Sequence, residues 1–132
     1  MFGFDHVSIS VDNLEETVKF YQKLGFTIHQ EYHGEDSEYV LLTLDGNFLE
    51  VFKYPDMDPL PSFAKDVDKD LSTIGTKHLG LSVKDINEAK KWFEDNNLSD
   101  EEIVIHHGRI DGIGYFFIKD PNGILIEIIE ER

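Results

Sequence analysis

The apolar positions along the chain change period several times, and each change marks an element. Residues 4–11 alternate. His6, Ser8 and Ser10 fall on one side of an extended strand and Val7, Ile9 and Val11 on the other, because strand side chains point to opposite faces in turn. The period then lengthens: Leu14, Val18 and Tyr21, with Phe20, form an i, i+4, i+7 stripe that predicts a helix. Asp12-Asn13 supplies its N-cap signal, Glu15 and Glu16 put negative charge in its first turn, Lys23 stands near its end and Gly25 is its stop. Strand patterns return at 26–31, 39–44 and 48–52, with a turn at 33–36 and the hairpin signal Asp45-Gly46-Asn47 before the last.

Residues 54–75 break the pattern. Pro55, Pro59 and Pro61 punctuate them, and Asp56, Asp58, Asp66, Asp68 and Asp70 load them with charge. They read as a connector with a short helix near 63–67; a lid over a site is the alternative. After it the first pattern repeats. Lys77-His78-Leu79-Gly80-Leu81-Ser82-Val83 echoes Asp5-His6-Val7-Ser8-Ile9-Ser10-Val11, and Lys91-Trp92-Phe93 echoes Lys19-Phe20-Tyr21. A second helix is predicted over 86–97, with strands near 103–107, 114–119 and 124–129 and a strong turn at Asp120-Pro121-Asn122-Gly123. The chain therefore reads as one α+β domain of two tandem β-α-β-β-β modules. Module 1 covers 4–53, the connector 54–75 and module 2 76–130.

Composition narrows the function classes. Asp plus Glu number 27 and Lys plus Arg 12, a formal charge of −15. That balance argues against nucleic acid, whose phosphates need a basic footprint, and against anionic membrane surfaces. No apolar run approaches the roughly 20 residues of a membrane helix, and the first residues do not form a secretory signal pattern. The expectation is a cytoplasmic protein acting on a small molecule. There is no cysteine, so thiol catalysis, disulfides and thiolate metal sites are excluded. A metal could be held only by His, Asp, Glu, backbone or water.

Four polar residues stand out. Glu127 shares a strand face with Leu125 and Ile129, and Glu50 interrupts Phe48-Leu49-Glu50-Val51-Phe52 in the same way. An ionised carboxylate on an apolar face is costly unless it is paired, protonated or bound to a metal. Each module thus offers one His on its first strand and one Glu on its last. His6, Glu50, His78 and Glu127 together form a nitrogen and oxygen set suited to a divalent ion such as Zn, Ni, Co, Fe or Mn. The small residues beside each His leave room for a ligand.

These residues carry a family resemblance. Asp5-His6-Val7, Phe20-Tyr21, Leu24-Gly25-Phe26, Leu49-Glu50-Val51, Lys77-His78-Leu79 and Asp120-Pro121-Asn122-Gly123 leading to Ile126-Glu127-Ile128 resemble the glyoxalase/bleomycin resistance/extradiol dioxygenase group, the vicinal oxygen chelate superfamily. The resemblance covers essentially the whole chain. It implies two βαβββ modules whose curved mixed sheets enclose a metal cavity, with His6, Glu50, His78 and Glu127 as ligands of one divalent ion, Ni, Zn or Co before Fe or Mn. Among its members the ligand set is most similar to glyoxalase I. That implies a lyase or isomerase acting on adjacent oxygens through an enediolate, with Glu127 as the base and Glu50 as its counterpart. A metal-dependent dioxygenase and a metal-free drug binder are the alternatives the same fold offers.

The resemblance also implies glutathione as co-substrate and a basic residue four places beyond the first His, where this chain has Ser10. Arginines are limited to Arg109 and Arg132. Arg109 is the candidate anion anchor, and Ser10, Tyr39 and Tyr115 are candidates to line the substrate site. His106 and His107 cannot both face inward from one strand, and His29 and His33 receive no role. A site within one chain and modules exchanged in a homodimer are both compatible with the connector.

Overall fold

The alternation at the start of each repeat becomes an edge strand in a computed structural model, which describes residues 1–132. The chain divides into two compact units, Met1–Pro59 and Leu60–Arg132. In the first, module 1, β1 (His6–Ser10) is followed by α1 (Leu14–Lys23), β2 (Thr27–His33), β3 (Glu38–Leu44) and β4 (Asn47–Lys53). The sheet order is β1-β4-β3-β2, with β1 parallel to β4 and the other pairs antiparallel. Helix α1 covers one face of this sheet. Leu14, Val18, Phe20 and Tyr21 are buried together with Val40, Leu42, Leu49 and Val51. Tyr21 meets Phe20 and Phe26 edge to face at 5.2 and 5.6 Å, the favoured geometry for aromatic quadrupoles.

Module 2 repeats this plan. The connector contributes a 3-10 turn (Ser62–Lys65) and α2 (Val67–Leu71), and then come β5 (Leu79–Val83), α3 (Ile86–Asp95), β6 (His106–His107), β7 (Gly114–Lys119) and β8 (Leu125–Glu130). The order β5-β8-β7-β6 is that of module 1, again with the first and last strands parallel. Ile86 and Phe93 of α3 are buried with Phe116, Ile118, Ile126 and Ile128. Both sheets are therefore mixed, and the fold is α+β with two like modules.

The helix ends show how differing residues serve one repeat. Asn13 caps α1 by accepting from the Glu16 amide (3.0 Å), and Asp85 caps α3 by accepting from Asn87 and Glu88 (2.8 and 2.9 Å). At the C-termini the Phe26 amide donates to Tyr21 O, and the Leu98 amide to Phe93 O. The preceding residues, Gly25 at φ 105° and Asn97 at φ 52°, take the left-handed position of such a cap. The predicted helix over 86–97 therefore stops at Asp95, since Asn97 has already left helical geometry.

Two other expectations are corrected. The turn predicted at 33–36 begins later, because β2 continues through His33 to pair with Glu38. The strand predicted near 103–107 shrinks to His106 and His107, since β7 begins at Gly114 and only Gly114 and Tyr115 pair with it. The turns on either side of the closing strands hold their register. Asp45 and Gly46 adopt φ 49° and 77°, the two-residue turn that closes a hairpin on the pair Leu44–Asn47. Buried Asp120 accepts from the Asn122 and Ile124 amides (2.8 and 3.0 Å) and fixes the turn before β8.

Candidate functional site

Register decides which side chains meet on the sheet face away from each helix. In module 1, His6, Ser8 and Ser10 lie opposite Phe48, Glu50 and Phe52, and Leu41 and Tyr39 continue the rows. In module 2, Gly80 lies opposite Glu127, and Phe117 continues that row. His78 stands one residue before β5. The structure therefore brings the four predicted ligands together as two pairs. His6 Nε2 lies 2.8 Å from Glu50 Oε1, and His78 Nε2 lies 3.1 Å from Glu127 Oε2.

The surroundings of the pairs differ. Asp5 Oδ2 holds His6 Nδ1 at 2.7 Å, and the Ser8 hydroxyl donates to Glu50 Oε1 at 2.6 Å. The hydrogen bond that His6 donates to the Asp5 carboxylate, with the Glu50 charge adding to it, raises the His6 pKa above its ordinary value. Burial first, and then the negative charge of Glu50, raises the Tyr39 phenol. In module 2 the ring of His78 packs edge to face on Phe117 at 4.8 Å, and its Nδ1 is buried with no hydrogen-bond partner. Lys77, where Asp5 would be, points its amine to buried Asp70 at 3.4 Å instead.

Of the candidate substrate residues, Tyr39 lies beside Phe52, with ring centroids 5.1 Å apart, and faces Glu50. Tyr115 stands between His106 and Phe117 on the face that carries Glu127, at 5.6 and 6.0 Å. Ser10 is exposed at the end of β1. Arg109 is exposed in the loop joining β6 to β7 and makes no ion pair within its module. His106 and His107 point to opposite faces, and His107 Nδ1 meets Gly112 O at 3.1 Å. His29 sits at a bulge against Phe48. His33 lies between Glu38 and Glu31 on the helix side of the sheet, beside an open cleft of about 770 Å³ that does not include His6 or Glu50.

Asp5 and Ser8 were not singled out by the sequence as partners. Ser8 reads there as a small residue leaving room, yet its hydroxyl is engaged. The available signal was its place two residues after His6, directly opposite Glu50 once β1 and β4 are paired. That pairing joins residues 42 apart.

Donor spacing tests whether a metal suits these residues. Two ligands about 2.1 Å from one ion and at right angles to each other lie roughly 3.0 Å apart. The observed 2.8 and 3.1 Å are equally the lengths of direct His–carboxylate hydrogen bonds, so the spacing does not by itself point to an ion. Asp5 occupies His6 Nδ1 and leaves Nε2 to the carboxylate side, the arrangement that orients a ligand imidazole. No group of three or more His, Asp or Glu side chains is arranged to hold a metal ion, and the candidate donors come as one pair per module. The set fits a divalent ion in the chemistry of its imidazole and carboxylate donors.

Comparisons with known proteins agree with the fold. Residues 3–128 match the family model of the Glyoxalase/Bleomycin resistance protein/Dioxygenase superfamily. The chain is 30% identical over 133 aligned positions to the uncharacterized protein YaeR of Escherichia coli, covering 96% of this chain and 94% of that one. Among solved structures it resembles a glyoxalase family protein from Enterococcus faecalis, with a TM-score of 0.80, 26% identity and 97% of each chain covered. It also shares its fold with the fosfomycin resistance protein FosX from Listeria monocytogenes. That match has a TM-score of 0.69 and 12% identity, and it covers 100% of this chain and 95% of that one.

Proposed function

The chain belongs to the glyoxalase/bleomycin resistance protein/dioxygenase superfamily, and from that premise we propose that it is a divalent-metal-dependent lyase or isomerase of glyoxalase I type. Its substrate is a small molecule with adjacent oxygens, converted through an enediolate. The observation that carries this reading is the duplicated His–Glu pair, 2.8 Å apart in one module and 3.1 Å in the other. His6, Glu50, His78 and Glu127 would hold one Ni, Zn or Co ion, with Fe or Mn as further choices. When bound, the ion supplies a Lewis acid that stabilises negative charge developing on the substrate's oxygens.

The chain's own residues then divide the remaining work. Glu127 takes the proton from the carbon beside the carbonyl and returns it to the neighbouring carbon, so the reaction is an isomerisation without net oxidation. Glu50 stands as its counterpart. Tyr39 and Tyr115 wall the substrate site, with Ser10 at the end of its first strand. Arg109 is the candidate anchor for an anionic group. The site-side face of module 1 carries no Lys or Arg, and Lys119 on module 2 is already paired with Glu101 at 3.0 Å. This leaves the two carboxylates of glutathione without a cationic partner on those strands, which argues against glutathione as co-substrate. A cytoplasmic location and a homodimer complete the proposal.

The test is a turnover screen with methylglyoxal and several thiols on protein loaded separately with Ni, Co, Zn, Fe or Mn. Turnover to the 2-hydroxy thioester with one of the first three supports the proposal. Iron-dependent oxygen consumption in its place would favour a dioxygenase, and absence of metal binding a drug binder. In the active form, Glu127→Gln should lower kcat by roughly 10²–10⁴-fold, the usual contribution of a positioned base, while retaining metal. Full turnover with Gln at 127 overturns the assignment.

A further inference from the structure

The two candidate carboxylates are equally shielded from water but unequally held. The Glu50 and Glu127 side chains are 21% and 22% exposed, so desolvation does not distinguish them. Hydrogen bonding does. Glu50 Oε1 takes the Ser8 hydroxyl at 2.6 Å and faces His6 Nε2 at 2.8 Å, and the Tyr39 hydroxyl also hydrogen-bonds Glu50, whereas within its own module Glu127 has His78, at 3.1 Å. An O–H···O⁻ bond of that length is among the stronger hydrogen bonds a protein makes.

One cause lies at a repeat-equivalent position on the first strand. Ser8 is register-paired with Glu50, and Gly80 is register-paired with Glu127. A Cβ built at Gly80 meets nothing within 4 Å. The glycine is therefore not required by crowding, and a serine could stand there as Ser8 does in module 1.

Resting on the metal-site reading above, we propose that Ser8 is a positioning residue that anchors Glu50 as a fixed ligand. By the same argument, the missing hydroxyl at Gly80 leaves Glu127 the less restrained of the two carboxylates. The division of labour between two chemically identical ligands is then set by their neighbours on the adjacent strand.

The experiment compares wild type, Ser8→Ala, Ser8→Thr and Gly80→Ser. Side-chain ¹³C relaxation of labelled Glu in metal-free protein reads mobility directly. Glu50 should show the higher side-chain order parameter and Glu127 the lower. Ser8→Ala should lower the order of Glu50, Ser8→Thr should restore it, and Gly80→Ser should raise that of Glu127. Titration with Co²⁺ alone adds a second readout. Ser8→Ala should weaken binding by roughly 10–100-fold, as loss of an outer-shell partner does, and Ser8→Thr should recover it. Equal order of the two carboxylates in wild type, or no change in either variant, overturns the proposal. Failure of wild type to bind Co²⁺ would sink the metal reading instead, while the relaxation contrast would still decide the role of Ser8.

Discussion

Asp5 and Lys77 precede the two candidate histidines at the same place in the repeat, yet they do opposite work. Asp5 reaches forward to its own histidine, holding His6 Nδ1 at 2.7 Å. Lys77 turns away to Asp70, a carboxylate whose residue is only 7% exposed. In module 1 this position serves the site, and in module 2 it serves the scaffold. A duplicated fold constrains where side chains originate. It does not constrain what they touch, because partners come from the connector in one module and from the strand itself in the other.

This contrast can be broken by exchanging effects between the two positions. The largest should come from Lys77→Met, which leaves Asp70 buried without its partner. Loss of a buried hydrogen-bonding partner costs roughly 1–3 kcal/mol, more when the group is charged. The urea midpoint should fall accordingly, while Co²⁺ affinity should stay within about twofold, below roughly 0.4 kcal/mol. A loss of metal affinity without loss of stability would show that Lys77 acts at the site after all.

Asp5→Asn should do the reverse. Its side chain is 80% exposed, so solvent competes for the hydrogen bond and the effect belongs at the low end of outer-shell losses, about tenfold in Co²⁺ affinity. Stability should change by less than about 0.5 kcal/mol, as for other surface substitutions. Unchanged metal affinity would remove Asp5 from the orienting role.

The smallest expected effect sharpens the contrast through pH. Module 1 also carries His33, whose pKa is raised first by Glu38 and then by Glu31. A raised folded-state pKa stabilises the protonated form. The contribution is fully present below the unfolded value of 6.5 and is lost as pH rises through the folded value. The thermal midpoint of wild type should therefore fall modestly between about pH 5.5 and about pH 8. His33→Gln should reduce that fall without altering metal binding, since His33 lies on the helix side of the sheet. An unaltered pH dependence would show that the pairing at His33 contributes nothing measurable.

Much of the fold was legible because it rests on local rules. The alternation around His6 and His78, the stripe at Leu14, Val18 and Tyr21, and the turn residues Asp45-Gly46 and Asp120-Pro121-Asn122-Gly123 each specify an element within a few residues of chain. The element edges were less legible. The short β6 depends on how much of β7 is available to pair, and the end of α3 on Asn97 adopting φ 52°. The candidate pairs could be anticipated because a charged residue on an apolar strand face stands out by its solvation cost. Ser8, Asp5 and Lys77 do not stand out in that way, since small or charged residues near strand ends are common.

The sequence by itself determined the two βαβββ modules, the polar exceptions His6, Glu50, His78 and Glu127, and the acidic, cysteine-free chemistry available to them. Period, solvation cost and composition are properties of the chain and need no knowledge of its long-range contacts. Only the tertiary structure decided that the Ser8 hydroxyl meets Glu50 while Gly80 offers none to Glu127, and that Asp5 meets His6 while Lys77 meets Asp70. Those outcomes depend on strand register and on which distant segment arrives beside a given side chain. A hydrogen bond requires its partners to lie within about 3 Å of each other, and sequence separation says nothing about that distance.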